Sequence, residues 1–234
     1  MTIEIITVGD ELLCGKTVDT NSAYIAQTVT ELGYQVNNIV TVADDKKCIQ
    51  EALKTALGRS SYIFFTGGLG PTADDLTVEA IASYFNEDLV LNDFIAKDIR
   101  QFFKAKNLIM PDINLKQAMI PKSAAVIENP VGTAPGIMWD ITTKVPSKTP
   151  KIIFAFPGVP HELKSIMETS VNQILETYSS QKLYQKILNF VGVGESNLID
   201  LIGELINSKD PIVRPYTAKD QVQLRVFSYA TSKD

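Results

Sequence analysis

The first third of the chain switches back and forth between two hydrophobic periods, and that alternation restricts the fold more than any other feature of the sequence. Ile3–Val8 is a short, β-branched apolar run, which reads as a buried strand. Asp19-Thr20-Asn21-Ser22 offers helix caps, and Ile25, Val29 and Leu32 then recur at i, i+4 and i+7. Gly33 supplies the stop. Val36–Val42 reads as a second strand, Ile49, Ala52, Leu53, Ala56 and Leu57 as a second helical stripe, and Tyr62–Phe65 as a third strand leading into Gly67-Gly68. Strands separated by helices at this spacing pair in parallel. The expected class is therefore α/β, a doubly wound and mostly parallel sheet of Rossmann type.

The remainder is less regular. A helix is expected over 75–85, and another carries Ile95, Ile99, Phe102 and Phe103 on one face. Strands are expected at 125–127, 136–140 and 152–156, with the Pro-bearing stretch 145–150 as a hairpin tip. A long helix follows Pro160, with Leu163, Ile166, Met167, Val171, Ile174, Leu175 and Tyr178 on its apolar side. Residues 178–182 read as a linker. Beyond them come a strand at 187–191, a helix with Leu198, Leu201, Ile202 and Leu205 inward, and strands at 212–216 and 222–229. Two domains are expected, 1–179 and 180–234. The second is a small α+β piece with little room for a core of its own. It lacks a closing helix and reads as incomplete.

Scarce residues narrow the chemistry. His161 is the single histidine, and Cys14 and Cys48 form no CxxC, which excludes zinc-ribbon and thioredoxin motifs. Two isolated cysteines suit a reducing cytoplasm, each expected as a small buried hydrophobe. No run approaches a membrane span, and no basic leader precedes an apolar stretch. The net charge is -5, without the basic excess of a nucleic-acid binder.

Thr66 to Asp75, TGGLGPTADD, sits where a strand gives way to a helix. Three glycines let backbone N–H groups approach a ligand, and a helix N-terminus adds positive potential, so the loop suits a phosphate. It is no Walker A loop, and Gly68-x-Gly70-x-x-Ala73 fits the dinucleotide pattern only loosely. A plain packing turn is the competing reading. Acidic pairs follow three successive strands: Asp10-Glu11, Asp44-Asp45 and Asp74-Asp75. Helix capping explains some of them. Their shared address at the carboxyl ends of parallel strands points to one polyacidic site. Carboxylates beside a phosphate loop call for a divalent cation, Mg²⁺ or Mn²⁺ rather than zinc. Asp75 and Glu79 are four apart and share a helical face. Lys116 could bring a cation to a phosphate, or lie on a solvated surface. Asn129 to Gly136 forms a rigid loop with amide donors, and Pro157-Gly158 turns a strand into a helix at the same edge.

Together these stretches resemble the CinA family, whose N-terminal domain is similar to the molybdopterin-binding fold of MoaB and MogA. The matching residues are Gly9 to Leu13 with Gly15, Asp19 to Asn21, and Thr66 to Asp75 with Thr77 and Glu79. They continue through Asn114, Lys116 to Met119, Asn129-Pro130, Gly132 to Gly136 and Pro157 to Pro160. Departures are Ala43 in place of a glycine, His161 and Leu163 around Glu162, and Asp74 where MoaB and MogA carry arginine. The last weakens adenylylation of molybdopterin as an activity.

The resemblance implies a KH-like second domain, at least a homodimer, and metal-assisted hydrolysis of ADP-ribose to AMP and ribose 5-phosphate. Deamidation of nicotinamide mononucleotide, the activity of a further domain in many members, is not expected of this chain. The competing reading is a non-catalytic nucleotide- or molybdopterin-binding module. The substrate-binding set is then Asp10, Glu11, Asp19, Asn21, Thr66, Gly67, Gly68, Gly70, Thr72, Lys116, Gly132, Thr133, Pro157 and Gly158. Asp44 and Asp75 are the expected catalytic acids, and Asp44, Asp75 and Glu79 the expected metal ligands. Which acid is base and which is ligand stays open.

Overall fold

The computed structural model of the chain describes residues 2–179, 181–218 and 221–231. The described residues fall into two compact units, one within Met1–Thr30 and Tyr34–Tyr178 and the other within Glu31–Gly33 and Ser179–Asp234. Among them no helix is long and apolar enough to cross a membrane.

The first unit begins as the periodicity dictates. Strand β1 (Thr2–Val8) leads through a short helix, α1 (Asp10–Leu13), to helix α2 (Thr20–Glu31). Strand β2 (Gln35–Val42), helix α3 (Lys46–Leu57) and strand β3 (Tyr62–Thr66) follow, then α4 (Thr77–Tyr84). The loop before α4 is longer than expected: the helix starts at Thr77, and neither Asp74 nor Asp75 caps it. Strand β4 (Leu89–Leu91), helix α5 (Asp93–Ala105) and strand β5 (Met119–Pro121) come next. β4 and β5 form a two-stranded antiparallel sheet. At three residues each they are too short to show a period. Strands β6 (Ala125–Ile127), β7 (Gly136–Asp140) and β8 (Ile152–Phe156) complete the main sheet. The expected long helix is broken into α6 (Pro160–Ile166), a π-helical turn at Met167–Val171, and α7 (Asn172–Tyr178).

The main sheet has the order β2-β1-β3-β8-β7-β6. β2, β1, β3 and β8 run parallel, and the β7–β8 hairpin makes the far edge antiparallel. Alternation sends Ile6, Phe65 and Ala155 into one core, shared with Ile49 and Leu53 of α3 and Ile81 of α4. The opposite face carries Ile5, Phe64 and Phe154, which are register neighbours on adjacent strands. There the rings of Phe64, Phe154 and Phe156 stack, with centroids 4.9–6.1 Å apart. Being buried on both faces, these central strands read as continuous apolar runs. The cysteine expectation fails: Cys14 and Cys48 are both exposed. Cys14 caps the solvent-facing α1, and Cys48 lies in the polar first turn of α3.

The second unit pairs strand β9 (Lys182–Val191) with β11 (Gln221–Ala230), and β11 with β10 (Ile212–Ala218), all antiparallel. Helix α8 (Glu195–Ile202) lies between β9 and β10 in the chain. Its small core is Leu198, Val213, Val222 and Leu224, with Ile202 packed against it. Leu201 and Leu205, expected inward, are 77% and 62% exposed. The helix ends at Gly203, whose φ of 53° breaks the period, and a tighter turn continues. Leu205 therefore leaves the helical face.

Candidate functional site

The carboxyl ends of β1, β2, β3 and β8 open into a cleft of about 480 Å³. β3 ends in Gly67 and Gly68, with φ of 100° and 66°. A side chain at Gly67 would put its Cβ 2.1 Å from the Val8 carbonyl, so only glycine turns the chain here. The Gly67 N–H donates to Phe156 O at 3.1 Å. It thus continues the β3–β8 pairing, so that, contrary to expectation, this amide is withdrawn from the phosphate cradle. The amides of Gly68, Leu69 and Gly70 have no protein acceptor among the described residues, and Gly68 and Gly70 line the cleft.

Asp75 is built into this loop. Its Oδ2 accepts from the Thr72 N–H at 2.8 Å and from the Thr72 hydroxyl. A Cβ on Gly70 would come within 2.4 Å of the same oxygen, so Gly70 makes room for the acid. Thr72 therefore braces Asp75. Lys116 is also committed to the loop: its Nζ donates to Thr72 O at 2.6 Å and lies 3.9 Å from Glu79. It anchors the turn from outside the cleft.

The acidic pairs divide their labour. Asp45 caps α3, accepting from Lys47 and Cys48 N–H groups, and the Cys48 amide in particular holds its carboxyl below the usual range. Asp44 faces the cleft. Burial pushes its carboxyl above the usual range, the neighbouring Asp10, Glu11 and Asp74 add to that, and a bond from the Asp10 N–H at 2.8 Å opposes it. Glu11 lines the cleft, whereas the Asp10 side chain does not. Asp10 contributes its amide.

Other expected ligand residues bind one another. Asn21 Nδ2 donates to Thr66 Oγ1 at 3.0 Å and to Gly158 O at 2.8 Å. Thr66 Oγ1 donates to Pro157 O at 3.2 Å. Asp19 caps the Ser22 N–H at 2.9 Å. Asn21 and Thr66 tie the β3 and β8 ends together, and both line the cleft with Asp19, Pro157 and Gly158. Thr133 lines the cleft as well. Gly132 does not, because it accommodates Glu162: a Cβ there would lie 2.2 Å from the Glu162 carboxylate.

Glu162 is a cleft residue that the sequence reading left out. Its Oε2 accepts from Asn129 Nδ2 at 2.7 Å, and it lines the cleft wall. Its address was the available signal, since it lies just past Pro157-Gly158 at a parallel strand end. The cleft is thus lined by Glu11, Asp19, Asp44, Asp74, Asp75 and Glu162, and by no lysine or arginine among the described residues.

The expected metal triad is divided. Asp44 lines the cleft, Glu79 lines a second cavity on the other side of the glycine loop, and Asp75 lines both. Glu79 faces Lys116 there, which removes it from Asp44. Among the described residues no cluster of three or more His, Cys, Asp or Glu side chains is set to hold a metal. The donors that do line the cleft are hard carboxylate oxygens, the type that suits Mg²⁺ or Mn²⁺.

The glycine loop and the acids thus share the carboxyl-end edge of a parallel sheet, the edge at which open α/β sheets bind their ligands. The family described as "Probable molybdopterin binding domain" matches residues 4–177, and that described as "Damage-inducible protein CinA KH domain" matches 185–234. A protein of Caldicellulosiruptor bescii is 41% identical over 235 residues, covering 100% of this chain and 56% of its own length. A "CinA-like protein" of a Nostoc species is 40% identical, covering 100% and 54%. The crystal structure of CinA from Thermoplasma acidophilum, described as of unknown function, superposes with a TM-score of 0.65 at 37% identity, covering 74% of this chain and 97% of that one. The chain belongs to the CinA family. It spans about half the length of the curated relatives it matches.

Proposed function

We propose that the first unit binds a phosphate-bearing nucleotide or molybdopterin-type ligand in this cleft, accompanied by a divalent cation. The observation that carries the reading is the pairing of a glycine loop with six carboxylates and no cationic side chain. A bare phosphate would be repelled by such a lining. A cation between carboxylate and phosphate converts the repulsion into attraction. Gly68 and Gly70 would present backbone donors, Asp44 and Asp75 would hold the cation, and Thr72 would keep Asp75 in place. The test is calorimetry with inorganic pyrophosphate, with and without Mg²⁺ or Mn²⁺. Binding that requires the cation supports the reading; binding that is indifferent to it defeats it.

A second reading, hydrolysis of ADP-ribose to AMP and ribose 5-phosphate, is favoured by one feature. Asp75 commits only Oδ2 to Thr72, leaving Oδ1 to orient a water. A divalent ion here would neutralise the diphosphate and ease deprotonation of that water. Release of AMP by the wild type and its loss in Asp75→Asn would establish hydrolysis. Tight binding without product after long incubation would leave the chain a binding module. A cytoplasmic setting and assembly as a homodimer belong to the same proposal. Sedimentation at several concentrations tests the dimer.

A further inference from the structure

Large apolar side chains are seldom exposed together on a monomer, yet helix α5 and the turn after it expose several. Phe94 is 59% exposed and Ile109 95%, and Leu108 and Ile113 are exposed as well. Ile113 belongs to the 3-10 turn Asp112–Ala118, which packs against α5. Beside the helix runs a groove of about 490 Å³. Phe94, Asp98, Gln101, Phe102 and Ala105 line it from α5, and residues of the stretch 126–135 complete it. Steps of four, three and four place Phe94, Asp98, Gln101 and Ala105 on one stripe of the helix. Ile95, Ala96 and Ile99 are buried and hold α5 to the fold. The stripe is left over.

The charges here sort by sign. Asp98 and Glu128 line the groove, and no lysine or arginine lines it among the described residues. The exposed apolar tip Leu108-Ile109 instead follows Lys104 and Lys106. Lys106 Nζ lies 3.9 Å from the centroid of the Phe102 ring, which keeps that ammonium on the groove side of α5. Asp98, Glu128 and Lys106 make no ion pair within 4.0 Å among the described residues. An apolar groove with an acidic lining and an apolar tip with a basic root complement each other, and one chain carries both. Two copies of α5 set antiparallel about a two-fold axis beside Gln101 satisfy both at once. Phe94 of one copy then meets the partner's Ile109, and Asp98 meets the partner's Lys106. Val131, in the stretch 126–135, is exposed too. Phe94, Leu108, Ile109, Ile113 and Val131, at roughly 100 Å² apiece on each of two copies, give about 1,000 Å² of burial, enough for a specific interface.

We propose that this face is the contact between two copies of the chain, with α5 packed antiparallel on α5 and the 108–109 tip of each copy in the groove of the other. The proposal rests on the homodimer reading and adds its surface and symmetry; it does not depend on what the cleft binds. Thr133 lines both the groove and the cleft, and Asn129 lines the groove while donating to Glu162. The second copy therefore bears on the loop that holds Glu162.

The experiment is sedimentation of the full chain over a range of concentrations. The wild type should dimerise at micromolar concentrations. Ile109→Asp should raise the dimer dissociation constant about tenfold or more without changing the melting temperature, because the side chain it replaces is exposed. Asp98→Lys and Lys106→Asp should each weaken the dimer about fivefold, since each sets like charges together. An equimolar mixture of these two chains should recover the wild-type affinity, because every such contact in the mixed dimer joins opposite charges. A dimer indifferent to Ile109→Asp overturns this surface and leaves the homodimer standing. Weakening by the charge reversals without recovery on mixing overturns the antiparallel seating. A wild type that stays monomeric at every concentration overturns the surface and the homodimer together, and gives the groove to a different partner.

Discussion

At the N-terminal end of the central strands each buried charge has its partner in hand. At the carboxyl end the carboxylates line a cleft with hydrogen bonds to amides and hydroxyls but no cationic partner among the described residues. Glu4 of β1 is 1% exposed, and Arg59 grips it with two bonds, Nε to Oε2 at 2.8 Å and Nη2 to Oε1 at 2.6 Å. Lys151, just before β8, is 7% exposed. Its Nζ donates to Leu57 O at 2.7 Å and Ser60 O at 2.6 Å, satisfying carbonyls where α3 ends, and burial pushes its ammonium down. Across the sheet, the cleft acids have no salt bridge within 4.0 Å among the described residues. The same sheet therefore uses charge for structure at one end and leaves it available at the other. Unpaired like charges cost stability, and a site that needs a cation accounts for keeping them.

That contrast can be broken at several points. The largest effect should come from Arg59→Ala, which leaves the Glu4 carboxylate buried without its fork. The melting temperature should fall by roughly 5 °C or more, with cleft binding intact in the surviving fold. Lys151→Met leaves the carbonyls of Leu57 and Ser60 unpaired and should lower Tm by about 5 °C. If both substitutions weakened pyrophosphate binding as much as stability, the two ends would not be separable.

At the other end the order reverses. Asp75→Asn keeps an acceptor for Thr72 but removes the charge. Cation-dependent pyrophosphate affinity should drop about tenfold or more by calorimetry, with Tm nearly constant. Acidification should have a similar but graded effect. Because the Asp44 carboxyl is raised, its protonation begins at a higher pH than the ~3.9 of an ordinary aspartate. Titrated binding should therefore weaken with a midpoint above that value. An unshifted midpoint would remove Asp44 from the cation site.

The smallest effect concerns Asp44 and stability. A raised folded pKa means that the group stabilises the fold below its unfolded value and loses that contribution as pH rises through the folded one. At neutral pH the charged form is therefore a cost, and Asp44→Asn should raise Tm by roughly 2 °C while binding falls. Loss of stability instead would show that the charge is structural.

Much of the main sheet was legible because its signals are local. Strand runs such as Ile3–Val8 and Tyr62–Phe65 are apolar on both faces, and the helix between them shows its period and its stop at Gly33. The glycine loop was legible for the same reason, since left-handed backbone at Gly67 and Gly68 restricts the residue type outright. β4 and β5 were hidden by their brevity. Leu205 left the apolar face because Gly203 ended the helix before it, whereas Leu201 lies within α8 but outside the side that Leu198 and Ile202 turn to the small core.

The site shows the limit more sharply. Asp44 and Asp45 are neighbours of identical chemistry, yet one caps a helix and the other faces the cleft. Lys116 was readable as a phosphate contact until its ammonium was found on the Thr72 carbonyl. Glu162 carried no motif of its own, and Gln117 fell within the matching stretch 116–119 with nothing in it to mark its Oε1 as unbonded.

The sequence by itself determined the alternation of strands and helices, the edge of the sheet where acids and glycines gather, and the family. Those depend on periodicity and on backbone conformations that few residues adopt. Only the tertiary structure decided that Glu11 and Asp44, not Asp10 and Asp45, line the cleft, that Glu79 lies apart from Asp44, and that the Gln117 Oε1 is buried without a donor among the described residues. A side chain's role is set by the donors and acceptors that surround it, and here those come from residues 30 to 140 positions away in the chain.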